Sequence, residues 1–236
     1  MYALFKTFIK SIPVAGKILI YLNKKIKDKR DSISPSKFQS SRYWESRYIE
    51  KGNSGAGSYN HLAEFKAKVI NKFISDNSIH SVIEFGCGDG NQLKLANYPG
   101  YIGFDVSSKS IQICKEIFLN DKSKDFRLVQ SYSKERGDLS ISLDVIYHLV
   151  EDEVFHAYMK NLFSASKQYV IIYSSNTENQ SLTSAVHVRH RKFTDWVEIN
   201  CSGWRLIKHL PNKYPYDGNT DLTSFADFYF YEISAE

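Results

Sequence analysis

Three glycines at alternate positions, Gly86, Gly88 and Gly90, follow directly on the run Val82-Ile83-Glu84-Phe85, and this junction constrains the fold more than any other stretch. Val82, Ile83 and Phe85 are β-prone, while Gln92-Leu93-Lys94-Leu95-Ala96 resumes at helical spacing, so the segment reads as strand, tight turn and helix. Glycines suit such a turn because the backbone must take positive φ and admit a ligand to contact distance, both of which a Cβ obstructs. The spacing also excludes a ligand class. A G-x-G-x-x-G fingerprint counted from Gly86 requires glycine at position 91, which is Asn, so the dinucleotide pattern fails by one residue.

A second apolar run, Tyr101-Ile102-Gly103-Phe104, ends on Asp105, and Val106-Ser107-Ser108-Lys109-Ser110 opens another helix. A carboxylate at that place can accept both hydroxyls of a ribose. The acid-x-Gly-x-Gly-x-Gly turn with Asp105 resembles the first motifs of class I S-adenosylmethionine-dependent methyltransferases. The resemblance implies S-adenosyl-L-methionine as cofactor. It places Asp105 on the ribose, Glu84 at the methionine end directly or through water, and Gly86, Gly88 and Gly90 in the binding turn, with Ser131 beyond the third strand as a further contact.

The alternation continues along the chain. Phe126 to Gln130 reads as a third strand and Asp138 to Leu143 as a fourth, followed by a helical run from Val145 to Met159. Tyr169 to Ser174 is a fifth strand whose nearly continuous apolar character suits burial on both faces. A helix near Asp195 leads through Gly203 into a strand from Trp204 to His209, and Phe225 to Ile233 closes the chain. The predicted fold is α/β: a doubly wound, mostly parallel seven-stranded sheet of Rossmann-like type with an N-terminal helical extension. In the resembling family the last two strands form an antiparallel pair at one edge, which suits the turn region Pro211 to Thr223.

At 236 residues with 42% hydrophobic side chains, the chain accommodates one domain plus an extension. The predicted division is 1–40, a basic amphipathic helix and linker, and 41–236, the methyltransferase-like domain. The net charge of +5 is unevenly spread. Residues 1–30 hold eight Lys or Arg against Asp28, a net of +7, whereas residues 31–236 hold 23 basic and 25 acidic side chains. At helical pitch Leu4, Phe8, Ile12, Ala15, Leu19 and Leu22 share one face and Lys6, Lys10, Lys17 and Lys24 the other, with a kink at Pro13. Such a helix either lies on an anionic membrane surface or packs its apolar face on protein, its own domain or a second subunit of a homodimer. Lys17 interrupts the apolar run well short of a membrane span, and a cleavable leader is not expected. Cys87, Cys114 and Cys201 show neither metal-ligand spacing nor a disulfide framework, and Cys87 reads as a packing side chain. The expected location is cytoplasmic, at the inner face of the membrane if the helix binds there.

Ahead of the first strand, Ser41-Arg42-Tyr43-Trp44-Glu45-Ser46-Arg47-Tyr48, the Gly/Ser stretch Gly52 to Tyr59 and a helix over Leu62 to Ile74 suit a lid, although a plain surface loop shares the composition of the Gly/Ser stretch. Acceptor residues belong at the C-terminal ends of strands. Asp144 and His148, after the fourth strand, meet that condition, and His148 is the leading base against the alternative of a histidine held by helix packing. In His187-Val188-Arg189-His190-Arg191-Lys192, alternation puts His187, Arg189 and Arg191 on one side of an extended segment. The expected catalytic set is therefore His148, Asp144 and His187. Arg189, Arg191, His190 and Tyr59 form the expected substrate set, the arginines either gripping a phosphate or carboxylate or pairing with nearby acids. No metal site is expected, since His187 and His190 lack a third ligand nearby.

Residues 41–236 resemble a group of bacterial methyltransferases of surface-glycan (capsule or lipopolysaccharide) assembly, on Asn53 to Tyr59 with Leu62-Ala63-Glu64-Phe65-Lys66, on Asp144 to Glu153, and on Arg191-Lys192-Phe193-Thr194-Asp195-Trp196. That resemblance implies O-methylation of a sugar, nucleotide-sugar or glycan end. The rival readings are methylation of a phosphate or phosphoramidate or another small molecule, RNA methylation, and a non-enzymatic adaptor that keeps the fold. The net acidity of residues 31–236 argues against a nucleic-acid partner.

Overall fold

The computed structural model describes residues 38–234. The basic helix expected in residues 1–30 and most of the linker lie outside the described residues. A compact unit begins at Gln39, and its elements run α1 (Ser40–Ile49), α2 (Asn60–Asp76), β1 (Ser81–Phe85), β2 (Gly100–Asp105), α3 (Ser108–Ile117), β3 (Lys124–Leu128), β4 (Gly137–Leu143), α4 (Asp152–Ser164), β5 (Ser166–Ser174), α5 (Phe193–Asn200), β6 (Trp204–Leu210) and β7 (Asp227–Ile233). The seven strands form one sheet in the order β3-β2-β1-β4-β5-β7-β6. The β1–β2, β1–β4, β2–β3 and β4–β5 pairs are parallel, whereas β7 runs antiparallel between β5 and β6. The predicted doubly wound, mostly parallel sheet is thus observed, with the order reversing between β1 and β4.

The strand period of two sorts side chains onto two cores. Val82, Leu139, Ile141, Ile171 and Tyr173 pack with Ile70 and Ile74 of α2 and Ile111 of α3. Ile83, Phe85, Val170 and Ile172 pack with Met159 and Leu162 of α4 and Val197 of α5 on the opposite face. Glu84 falls between Ile83 and Phe85 and so shares the α2 face with Val82, which is what brings a strand-end carboxylate toward that helix. The helices are bounded by local chemistry: Ser107 caps α3 by accepting the Ser110 N–H at 3.1 Å, and Asp152 and Glu153 place negative charge in the first turn of α4.

Three expected elements differ. The helix expected over Gln92 to Ala96 is one 3-10 turn, Gln92–Leu95, because Asn71 of α2 holds the Leu95 carbonyl and the Asn97 N–H and turns the chain back toward β2. The third strand spans Lys124–Leu128 rather than Phe126 to Gln130, since its parallel register with β2 ends at Asp105 opposite Leu128. The helix expected from Val145 to Met159 is split into a 3-10 turn, Ile146–His148, and α4. Between them the carbonyls of Leu149 and Val150, which a continuous helix would bond internally, accept instead from the guanidinium of Arg191.

Candidate functional site

A cavity opens at the C-terminal ends of β1, β2 and β4, where open α/β sheets bind ligands. Its empty volume, open solvent at the mouth included, is about 940 Å³. Its floor is the turn Gly86 to Gly88 with Glu84 and Asp105 at the strand ends. Val106 and Val129 form one side, Asp144, Val145 and His148 the other, and Trp44 and Tyr48 of α1 the roof.

Asp105 is 7% exposed, and its oxygens accept the N–H groups of Gly88 and Ser107, each at 2.9 Å. Burial raises its pKa above the ordinary carboxylate value against the opposing pull of those N–H groups. Glu84 accepts from the Tyr101 hydroxyl at 2.6 Å. Burial pushes its pKa up to about 7, opposed by the Tyr101 hydrogen bond and the charge of Lys66 and reinforced by Asp105. Gln92 also lines the cavity: its Nε2 donates to the Ala63 carbonyl, while Oε1 is buried with no hydrogen-bond partner among the described residues.

The glycines have distinct roles. Gly86 and Gly88 sit at φ +85° and +58°, and a Cβ on them would approach Val145 to 2.4 Å and the Ser54 hydroxyl to 2.3 Å. Gly90 faces away from the cavity, toward Cys114 and Phe118, so its expected cofactor contact is replaced by helix packing. Gly88→Ala should weaken binding of an adenosine ligand at least about tenfold, because it forces Ser54 and Tyr48 outward and strains a left-handed residue by roughly 1 kcal/mol or more. Calorimetric titration checks this.

The Gly/Ser stretch is latched to the glycine turn. Asp89 accepts from the Ser54 N–H at 2.9 Å and the Tyr59 hydroxyl at 2.8 Å, and the Ser54 hydroxyl accepts the Asp89 N–H at 2.9 Å. Tyr59 therefore serves the latch, in place of the expected substrate contact. Tyr48 joins it through Ser54 at 3.0 Å.

Asp144 and His148 both line the cavity wall beyond β4. The Asp144 backbone is left-handed at φ +61°, and its carboxylate accepts from Lys66 Nζ at 2.5 Å and the Tyr147 hydroxyl at 2.7 Å. His148 lines the cavity, with its ring edge-on to Trp44 at 4.8 Å. Its Nδ1 is 3.0 Å from the His187 carbonyl. A carbonyl only accepts, so Nδ1 carries the proton and Nε2 the lone pair. Burial, then the neighbouring His187, pull the His148 pKa down to about 3.

The other basic-cluster residues are placed differently from expectation. His187 stands behind His148, stacked between it and Tyr43 with centroids at 5.4 and 4.6 Å. His190 is buried, its Nδ1 2.7 Å from the Ser175 hydroxyl. Arg189 and Arg191 both pair with Asp152, at 2.9 and 3.1 Å. They bind the chain's own carbonyls at Leu149 and Val150 as well, which leaves no arginine on the cavity wall to grip a phosphate. Ser131 is exposed and bonds its own turn at the Leu128 carbonyl, and Val129 occupies the cavity wall in its stead. Among the described residues there is no group of three or more His, Cys, Asp or Glu side chains suited to a metal ion, and no helix is long and apolar enough to cross a membrane.

Sequence reasoning passed over two residues. Lys66 carried a legible signal, a lysine four residues from both Leu62 and Ile70 on the buried stripe of α2. Gln92 carried none, because its burial depends on where α2 lies.

No protein-family model matches the sequence, and no curated protein matches it. Solved structures share its fold. An N-methyltransferase NodS from Bradyrhizobium japonicum WM9, in complex with S-adenosylhomocysteine, superposes with a TM-score of 0.63 at 13% identity, over 83% of this chain and 99% of that one. Magnesium protoporphyrin IX methyltransferase (ChlM) from Synechocystis PCC 6803 with S-adenosylhomocysteine bound gives 0.60 at 16% identity, over 82% and 98%. The methyltransferase domain of bacterial CtHen1-C gives 0.59 at 20% identity, over 74% and 100%. Strand order, reversed last pair and these superpositions together show that the chain has the class I methyltransferase fold.

Proposed function

We propose that this chain is an S-adenosylmethionine-dependent O-methyltransferase whose acceptor is a sugar, nucleotide sugar or glycan end in bacterial surface-polysaccharide assembly. The observation that carries the cofactor reading is Asp105, a buried carboxylate held by the backbone N–H groups of Gly88 and Ser107 at the strand end beside the glycine turn and lining the cavity. The residues present fit an S-adenosyl ligand. A Cβ at Gly88 would fill the cradle, and Glu84 with the unpartnered Oε1 of Gln92 offers acceptors for an ammonium. When bound, the cofactor supplies a methyl group on a sulfonium, open to in-line displacement.

The acceptor side supports a ligand rich in donors. Asp144 keeps lone pairs, His148 offers Nε2, and Trp44 adds aromatic surface to the cavity wall. The cavity is lined by three carboxylates, Glu84, Asp105 and Asp144, and by no Lys or Arg among the described residues. Lys66, the partner of Asp144, is fully buried and already paired, so a phosphate at the reacting end would find no cation on the cavity wall, which disfavours the phosphate-methylating alternative. With its pKa near 3, His148 is neutral at physiological pH; it orients a hydroxyl by accepting its hydrogen bond and holds a transferred proton only weakly.

The test is calorimetric titration with S-adenosylmethionine and S-adenosylhomocysteine, followed by an acceptor screen of sugars, nucleotide sugars and sugar phosphates. Micromolar binding and methylation of a sugar hydroxyl are expected. A folded protein that binds neither nucleoside would overturn the methyltransferase reading, and turnover only of phosphate oxygens would overturn the sugar. His148→Ala is expected to lower kcat about tenfold with unchanged cofactor affinity, the scale of one lost orienting hydrogen bond rather than of a general base.

A further inference from the structure

β6 stands at the edge of the sheet, and residues 211–226, which join it to β7, hold no helix to cover it on the α2 face. What lies there instead is a groove between α2 and the β6–β7 pair. Its floor is built by two periodicities. Phe65, Val69 and Phe73 recur every fourth residue along α2 and are half-buried in the groove, with the rings of Phe73 and Phe230 of β7 at 5.2 Å. A register shift between Leu206 and Lys208 sets Lys208 opposite Phe230 and Leu210 opposite Phe228, which turns both onto the α2 face, while Leu206 stays opposite Tyr231 on the other. His61 closes one end, its Nε2 2.8 Å from the Leu222 carbonyl and its ring edge-on to Tyr214 at 4.5 Å.

The rim is cationic. Lys68 and Lys72 of α2, Lys208 of β6 and Lys213 beyond it stand against two acids, Glu64 and Asp76. Lys72 pairs with Asp76 at 2.8 Å. Lys68, Lys208 and Lys213 are exposed and have no ion-pair partner among the described residues. Two of them lie over rings: Nζ of Lys208 is 5.4 Å from the Phe230 centroid, and that of Lys213 is 5.3 Å from the Tyr214 centroid. An apolar stem on an aromatic floor with an exposed ammonium is the arrangement lysines take at a membrane interface.

We infer that this groove is a docking surface for an anionic phospholipid bilayer, with lipid phosphates at Lys68, Lys208 and Lys213 and the aromatic floor toward the acyl boundary. Charge complementarity selects the occupant. Unpaired ammoniums recruit an anion and the floor recruits an apolar body, and a phospholipid carries both. An acidic peptide would satisfy the groove alone, whereas an anionic surface also suits the eight Lys or Arg against one acid in residues 1–30 of the same chain. A single weak signal binds a bilayer marginally, and two on one chain hold it more firmly. None of the groove residues lines the cavity at β1, β2 and β4, so the surface is separable from the proposed activity.

The experiment is co-sedimentation of the full chain with vesicles of phosphatidylcholine alone and of phosphatidylcholine and phosphatidylglycerol in equal parts. The chain is expected to partition to the anionic vesicles and to leave them as salt rises. A lysine near such a surface contributes a factor of about five, so Lys68→Gln/Lys208→Gln/Lys213→Gln should weaken partitioning about 100-fold with Tm unchanged. Lys115→Gln/Lys122→Gln/Lys167→Gln removes the same charge from exposed lysines outside the groove and should cost at most about threefold. Equal losses from the two triple variants, or a groove variant that partitions like wild type, would overturn the groove as a lipid site. A wild-type chain that ignores anionic vesicles would overturn it too, and its retention on polyglutamate would then assign the groove to an acidic peptide.

Discussion

Asp105→Ala is expected to raise the Kd for S-adenosylmethionine and S-adenosylhomocysteine by about 100-fold or more while the chain stays folded. The wild-type carboxylate can accept two ribose hydroxyls, and hydrogen bonds to an ionised group each contribute roughly 1.5–3 kcal/mol. The variant also strands the buried N–H groups of Gly88 and Ser107, which now bond Asp105, so part of the loss comes through a loosened glycine turn. Asp105→Asn separates the two effects. An amide keeps one acceptor but presents a donor where the other N–H or hydroxyl stands, and a loss near tenfold is expected, with the melting temperature closer to wild type. Equal binding by wild type and Asp105→Ala would remove the observation on which the proposed activity rests.

Arg191→Ala should destabilise the domain by about 2–4 kcal/mol, since it strands the carbonyls of Leu149 and Val150 at roughly 1–3 kcal/mol each, while Asp152, with its side chain 58% exposed, is left to water. At roughly 2–4 °C per kcal/mol for a domain of this size, Tm falls by roughly 4–16 °C. Arg191 is 8% exposed, and its guanidinium bonds the Leu149 and Val150 carbonyls and Asp152 and lies over the Phe155 ring at 4.6 Å. It fixes the break between the His148 turn and α4, so the variant should also lose turnover through a misplaced His148. In Arg191→Lys a single ammonium cannot span two carbonyls and a carboxylate, and partial rescue at most is expected. A variant with wild-type Tm that loses only acceptor affinity would instead return Arg191 to substrate binding.

The cofactor half of the site was more legible than the acceptor half because its signals are local. Glu84, the glycine turn and Asp105 each act at or beside the end of their own strand, so spacing along the chain carries the geometry. Gly90 and Ser131 show the limit even there: both stand next to motif positions, yet one turns toward α3 and the other bonds its own turn. Arg189 and Arg191 show it more sharply. Two arginines at alternate positions are compatible with a phosphate clamp and with an internal one, and Asp152, 39 residues before Arg191 in the chain, decides between them.

By itself the sequence determined the alternation of strands and helices, the burial of β5 on both faces and the conformational freedom at Gly86 and Gly88, because periodicity and positive φ are properties of short segments. It also determined that Lys66 lies on the buried stripe of α2, though not which charge meets it. Only the tertiary structure decided that Lys66 reaches Asp144, that Asp89 latches Ser54 and Tyr59, that His187 supports His148 from behind, and that Gln92 buries an unpartnered oxygen beside the cavity. Those pairings join residues that sheet order and helix placement bring together. A buried polar group's partner is selected by desolvation over the whole fold, which spacing along the chain does not encode.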